Sequence, residues 1–302
     1  MGKERNSKKF QKNTDTNVYS LQTVDIRMKY TMDDLKKGIR GHDIQAKGLK
    51  NIAFLAEKTG IEYLQLVLEK SIDGFDRISY TEKYAEEIKH QLGNVKIAIL
   101  GSYIDPSNPD DTVLEYNINK FKEKIRYASI LKPIAVGTET GIYKEHMTDS
   151  EEAYKRVLHT LKTLALYAQE YGVNIGIEGV HCFVINTPQK MKKLIDDLSL
   201  DNVKVIYDPV NYLDINNYKE QNHIIESAFD LLSDKICVLH AKDFVVENGV
   251  FKEVKPTEGL LNYKLIFNRL NKYKLNIPII CEGINESDAS IAFEIFEKIR
   301  RD

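Results

Sequence analysis

The sequence predicts an α/β fold, a (β/α)8 TIM barrel, on three observations. Eight short β-rich apolar runs alternate with amphipathic runs from Asn17 onward. The last four of those runs each end in a carboxylate or an imidazole, at the point where apolar character stops. Neither G-x-G-x-x-G nor G-x-x-x-x-G-K-[ST] occurs, so the glycine-rich phosphate turn expected of an open doubly wound sheet is missing.

The strand candidates, in order, are Val18–Arg27, Ile61–Leu68, Val95–Tyr103, Ile134–Thr138, Val173–Glu178, Val203–Tyr207, Ile236–His240 and Ile277–Cys281. Val, Ile, Leu and Tyr dominate them, and polar residues or Gly flank them. Helices fill the intervals. One spans Thr81–Leu92 and stops at Gly93. Another, Ser150–Tyr171, sets Tyr154, Val157, Leu161, Leu164 and Ala168 at spacings of three and four, with Ser150 as N-cap and Gly172 as stop. Thr187-Pro188 opens the next, a cap followed by proline in the first turn. The last, Ser287–Arg301, keeps Ile291, Ile295 and Ile299 on one face. Two segments read as long loops at the C-terminal face of the barrel, Met28–Lys47 and Phe244–Leu260.

A chain of 302 residues with 42% hydrophobic and 29% charged residues has the composition of an ordinary globular domain. Residues 1–16 are polar and Lys-rich, lack the apolar core of a secretory signal and read as a flexible tail. Residues 17–302 read as one barrel domain. With 43 Lys and Arg against 45 Asp and Glu, the net charge of −2 argues against a nucleic-acid or anionic-membrane binder. No apolar run is long enough to span a bilayer. Cys182, Cys237 and Cys281 are too few and too scattered for a disulfide framework or a structural zinc site, so a reducing, cytoplasmic setting is expected.

The strand ends carry the chemistry. They read Ile175-Gly176-Ile177-Glu178, Val205-Ile206-Tyr207-Asp208, Val238-Leu239-His240 and Ile280-Cys281-Glu282. In a barrel these positions converge on one mouth. Two Glu, one Asp and one His make an oxygen-rich site with one nitrogen, suited to Mn²⁺ first, and also to Mg²⁺, Co²⁺ or Zn²⁺. Three carboxylates crowded together repel one another without a cation.

At these residues the chain resembles the sugar phosphate isomerase/epimerase family, the xylose isomerase-like barrels. The strings IGIEGVH, VIYDPVNY, VLHAKDF and IICEG look like that family's metal strands, and PTEGLLNY looks like its turn before the seventh helix. The resemblance implies a divalent ion held by Glu178, Asp208, His240 and Glu282, with Glu178 and Glu282 exchanging protons with a sugar or keto-sugar substrate beside its carbonyl. Ketose epimerases of the family carry His three residues after the strand-six Asp, where this chain has Asn211. They also carry Arg six residues after the strand-seven His, where this chain has Val246. Both departures fall at substrate-binding positions. They argue against plain ketose 3-epimerase activity and leave the proton chemistry intact. The C-glycoside deglycosidase branch gives an alternative, a lyase that abstracts a proton next to a 3-keto group and eliminates the aglycone. Its barrel works with a small partner chain. Family barrels also form homo-oligomers, and no interface signature in this sequence chooses between these states.

Further candidates stand near the same mouth. His146 reads either as a mobile general base or as an exposed loop residue. Glu139 would touch the ion's water or a sugar hydroxyl, or else cap the following helix. His181 is a substrate-binding or supporting residue. Lys242 follows His240 by two and shares its face, where it would meet substrate oxygen or the Glu282 carboxylate, while Asp243 fixes the loop. His42 would cover the pocket. Cys182 and Cys281 are expected as core filling. A multi-zinc nuclease of this superfold would need further His and carboxylate ligands on strands one to three and a basic stripe, and the sequence offers few of the first and none of the second.

Overall fold

The computed structural model describes residues 34–75, 80–144 and 147–301. Eight parallel strands close a barrel: β1 (Lys37–Arg40), β2 (Tyr63–Leu66), β3 (Lys96–Gly101), β4 (Ala135–Thr138), β5 (Ile175–Glu178), β6 (Val203–Tyr207), β7 (Ile236–Ala241) and β10 (Ile279–Cys281). Gly38 of β1 lies opposite Tyr63 on one side and Ile280 on the other, which shuts the ring. A two-stranded antiparallel hairpin, β8 (Asp243–Glu247) and β9 (Val250–Val254), stands apart from it.

The helices are α1 (Leu49–Lys58), α2 (Leu68–Ser71), α3 (Glu82–Leu92), α4 (Asp111–Leu131), α5 (Glu151–Glu170), α6 (Pro188–Leu198), α7 (Gln221–Leu232), α8 (Tyr263–Lys272) and α9 (Glu286–Arg301). Their starts follow from side-chain caps. Thr81, Ser150 and Thr187 accept hydrogen bonds from the backbone N–H of Tyr84, Ala153 and Lys190. The stripe expected on α5 is real: Val157, Leu161, Leu164 and Ala168 are buried. Each such leucine contributes about 1.5–3 kcal/mol by leaving water.

Strand periodicity positions the site. Residues two apart share a face, so Gly176 with Glu178, Ile206 with Asp208, Val238 with His240 and Ile280 with Glu282 form matched pairs. Ile206, Val238 and Ile280 belong to a small buried cluster separate from the main core, and it floors the barrel below the polar residues. Gly176 makes room for it, because a Cβ there would sit 2.9 Å from two side-chain carbons of Ile206.

Several expectations change. Val18–Arg27 lies outside the described residues, and the first barrel strand is Lys37–Arg40, inside the segment read as a loop. KGIR is four residues long with charges at both ends, so it carries almost no apolar pattern. The second expected loop, Phe244–Leu260, folds largely as the hairpin. Its turn is Asn248-Gly249, both at positive φ, and Asn-Gly between alternating residues is a strong hairpin signal. On α9 the buried face is Ala289, Ala292, Phe293 and Phe296, while Ile291 is 57% exposed. Cys281 is buried as expected, but Cys182 is exposed, because it lies in the turn after β5 and not on a strand. Among the described residues no helix is long and apolar enough to cross a membrane.

Candidate metal centre and active site

Glu178, Asp208, His240 and Glu282 meet at the C-terminal mouth, and all four are buried. His240 Nδ1 lies 3.1 Å from Glu178 Oε1, 3.2 Å from Glu282 Oε1 and 4.0 Å from Asp208 Oδ2. Ligand-type atoms of Glu178, Asp208 and His240 all fall within 4.8 Å of one another, a set able to hold a metal ion. Glu282 joins them through its contact with the imidazole.

Local structure explains each placement. Asp208 sits just beyond β6, where the chain turns into a short 3-10 segment, Val210–Tyr212. Its Oδ1 accepts the backbone N–H groups of Val210 and Asn211 at 2.9 and 3.1 Å. That turn leaves Oδ2 for Lys242 Nζ at 3.2 Å, while His240 Nε2 is buried without a hydrogen bond. Asn211 then bridges the site. Its Nδ2 donates to Glu178 Oε1 at 2.7 Å, and its Oδ1 accepts from Lys242 Nζ at 2.7 Å. Lys242 also pairs with Asp208 Oδ2 at 3.2 Å, Glu282 Oε2 at 3.8 Å and Glu253 of the hairpin at 3.4 Å.

A second support comes from β1. Arg40 donates through Nε and Nη2 to the two carboxylate oxygens of Asp43, at 2.7 and 3.2 Å, and through Nη1 to Glu282 Oε2 at 3.4 Å. Asp43 Oδ2 accepts the backbone N–H of Gly283 at 3.0 Å. The guanidinium therefore ties β1 to the turn that carries Glu282. The base of the hairpin is held by Asp243, whose carboxylate accepts from Phe244, Gly259 and Leu261 N–H at 2.8, 3.0 and 2.8 Å. It fixes the loop, as its position after His240 suggested.

Charge and burial oppose each other throughout. Burial lifts the Asp208 carboxyl to about 6, helped by Glu178 and Glu282 and resisted by Lys242. Burial lifts Glu139 to about 7, with Glu178 the next cause. Burial works against a charged His240, yet Glu178, Glu282 and Asp208 outweigh it and raise the imidazole to about 9. Burial also opposes ionisation of Glu282, but His240, Lys242 and Arg40 keep its carboxyl below the usual range. Glu178, Asp208 and Glu282 thus share His240, Lys242 and Arg40 as counter-charges.

The mouth opens into a cavity of about 710 Å³ lined by Arg40, His42, Glu139, Asn211 and Lys242 together with Glu178 and Glu282. Gln65 and Tyr103 also line it, and Gln65 Nε2 donates to the Tyr103 hydroxyl at 2.5 Å, which leaves the phenolic proton free for a ligand. Glu139 faces this cavity, and Ser150, not Glu139, caps the following helix. His181 is not brought in: its side chain is exposed and its backbone N–H donates to the Asn211 carbonyl at 2.6 Å. His146 lies outside the described residues. Val246 lies on the hairpin opposite Phe251, away from the cavity wall. Sequence reasoning missed Arg40, Asp43 and Gln65. Their strands were read as loop or as plain apolar runs, and a polar residue inside a buried strand such as YLQL was the available signal for Gln65.

The fold and this cluster define a class: a parallel eight-stranded barrel with an acidic, single-imidazole cluster at its C-terminal mouth. The chain matches the xylose isomerase-like TIM barrel family over residues 54–300 and belongs to it. It is 21% identical over 261 residues to the inosose dehydratase of Glaesserella parasuis serovar 5 (strain SH0165), spanning 78% of this chain and 87% of that protein. Among solved structures, the IolI protein with a bound zinc atom is similar at a TM-score of 0.70 and 18% identity, covering 88% of this chain and 98% of that one. The D-psicose 3-epimerase of Clostridium cellulolyticum H10, solved with D-tagatose, gives a TM-score of 0.69 at 16% identity, covering 88% and 99%. A xylose isomerase-like barrel of Mycobacterium smegmatis in complex with magnesium gives 0.64 at 15% identity, covering 83% and 87%.

Proposed function

We propose that this protein is a divalent-metal-dependent enzyme that takes a proton from the carbon beside a carbonyl of a sugar or keto-sugar. The observation that carries this reading is the meeting of Glu178, Asp208, His240 and Glu282 at one mouth, all four buried, with ligand-type atoms of Glu178, Asp208 and His240 within 4.8 Å of one another. Three buried carboxylates converging on one imidazole nitrogen fit a site built for a cation. These four residues would hold the ion. Mn²⁺ suits the donor set best, and Mg²⁺, Co²⁺ and Zn²⁺ also fit. A bound divalent ion supplies a Lewis acid that polarises a carbonyl and its neighbouring hydroxyl and so acidifies the C–H between them.

The side chains do the rest. Glu178 and Glu282 take and return the proton. Asn211 and Arg40 each occupy one carboxylate oxygen of these two residues, which fixes the direction of the other. Glu139 holds or releases a proton near neutrality and is placed on the cavity wall to exchange it with a substrate oxygen. The Tyr103 hydroxyl donates to another. Return of the proton to carbon completes an isomerisation or epimerisation.

A second reading is elimination, and Lys242 favours it. Burial opposes its charge, but Asp208, Glu282 and Glu253 hold it protonated beside the cluster. A cation there stabilises an oxygen leaving the carbon next to the one that lost its proton. The C–H and C–O bonds break, a C=C bond forms, and the departing oxygen takes up a proton. The likeness to an inosose dehydratase supports this branch. In its C-glycoside form, with a small partner chain, the bond that breaks is the C–C bond to the aglycone, whose carbon takes up the proton in place of an oxygen.

Proton exchange in D₂O tests both. The protein with Mn²⁺ is mixed with ketoses, keto-sugar phosphates, keto-polyols and 3-keto glycosides, with and without EDTA, and followed by NMR. EDTA-sensitive deuterium uptake with retained carbon–oxygen bonds supports the epimerase reading, and loss of water or aglycone supports the lyase. Protein that retains no metal and exchanges nothing overturns both.

A further inference from the structure

The cavity is larger than one sugar ring requires. About 710 Å³ lies within the range that encloses drug-sized ligands, and the acidic mouth forms only part of its wall. The remainder comes from α2 and one face of α4. Tyr116, Lys120 and Lys124 recur there every four residues, with Asn117 and Glu123 beside them. Glu69 of α2 pairs with Lys124, whose side chain is only 5% exposed. The Lys124 ammonium also lies 4.2 Å from the centre of the Phe75 ring. Glu69 is 42% exposed, so the pair is buried at its ammonium and open to the cavity at its carboxylate.

The chemistry of this far wall selects among ligands. Lys70, Lys120 and Lys124 stand against Glu69 and Glu123, with an amide and a phenol between them. A phosphate takes donors only, and the two glutamates repel it. A flat apolar group would cover the Lys124–Glu69 pair and leave its remaining hydrogen-bonding capacity unmet. A ring of neighbouring hydroxyls satisfies the wall, because each hydroxyl both donates and accepts. The aromatic face of Tyr116 suits the C–H face of such a ring.

We propose that this wall is a second glycosyl subsite, so that the substrate is a two-unit sugar with its carbonyl-bearing unit at Glu178 and Glu282 and its second unit between Lys124, Glu69 and Tyr116. The inference rests on the proton-abstraction reading for the first unit only.

The test compares a free ketohexose with isomaltulose, a glycosyl-ketohexose, in the D₂O assay, using wild type, Lys124→Met and Tyr116→Ala. Tyr116 is 62% exposed, so its replacement leaves the core untouched. The expected result is a kcat/KM at least tenfold higher for isomaltulose in wild type, with that ratio falling towards one in both variants. A wild-type preference for the single unit, or a ratio unchanged in both variants, overturns the subsite. If neither sugar exchanges, the catalytic reading fails, and saturation-transfer NMR with isomaltulose decides the subsite alone. Binding weakened about tenfold in the variants upholds it. Absent binding, or equal binding in all three proteins, refutes it.

Discussion

Replacing Arg40 with Met probes whether β1 governs the chemistry from across the barrel. Arg40 makes two hydrogen bonds to Asp43, at 2.7 and 3.2 Å, and a longer one to Glu282, at 3.4 Å. Hydrogen bonds to charged groups contribute roughly 1.5–3 kcal/mol each. The Arg40 side chain is 26% exposed and Asp43 14%, so water recovers part of the loss. A net cost of about 2 kcal/mol follows, or about 3–4 °C in melting temperature for a domain of this size. Glu282 is only 9% exposed and would lose one of the cations that keep its carboxyl ionised. A carboxylate displaced by about an ångström from its working position costs about a hundredfold in rate. Arg40→Met is therefore expected to lower EDTA-sensitive deuterium exchange about a hundredfold and to weaken Mn²⁺ retention on equilibrium dialysis. Arg40→Lys keeps the charge without the fork and should fall between. Wild-type exchange and metal content in Arg40→Met would refute the positioning role, whatever happened to the melting temperature.

Three further outcomes are expected. Asp208→Asn should abolish Mn²⁺ retention while keeping the far-ultraviolet circular dichroism of the barrel, since its Oδ1 contacts survive as amide contacts; full metal content would remove Asp208 from the ligand set. Saturating Mn²⁺ should raise the wild-type melting temperature, by about 2.7 kcal/mol of added stability at a hundred times its dissociation constant, and a flat metal titration would argue against a resident ion. Gly259→Ala would bring a Cβ to 2.2 Å from the Phe244 carbonyl oxygen and 2.4 Å from Asp243 Oδ1. Urea denaturation should show it destabilised by about 1–3 kcal/mol, and a neutral result would mean the hairpin base yields freely.

The parts of this structure that the sequence made legible share one property: their signal is local. Strand ends such as IGIE and VIYD announce themselves because an apolar run stops at a charge, and the period-two rule then aims Glu178 and Asp208 at the same mouth. Helix starts at Thr81, Ser150 and Thr187 are equally local, a cap and its third neighbour. Arg40 and Asp43 were not legible because KGIR is too short and too polar to read as a strand, and their partner Glu282 is 242 positions from Arg40. Asn211 was noted as a departure from a histidine, but its bridging role depends on Lys242 and Glu178 arriving from two other strands. Cys182 misled because nearness to a strand end was taken for burial. The hairpin is legible in Asn248-Gly249, although its strands are short and mostly exposed or half-buried and so resemble a polar loop.

The hairpin has a consequence of its own. It bonds to itself strand to strand, is bolted at its root by Asp243, and touches the neighbouring α9 through Lys255 and Asp288. Its Glu253 reaches toward the carboxylate cluster by way of Lys242. Such an arrangement behaves like a cassette: a change in its outer residues alters what shape the rim admits, and is felt by the carboxylate cluster below through the Glu253–Lys242 pair.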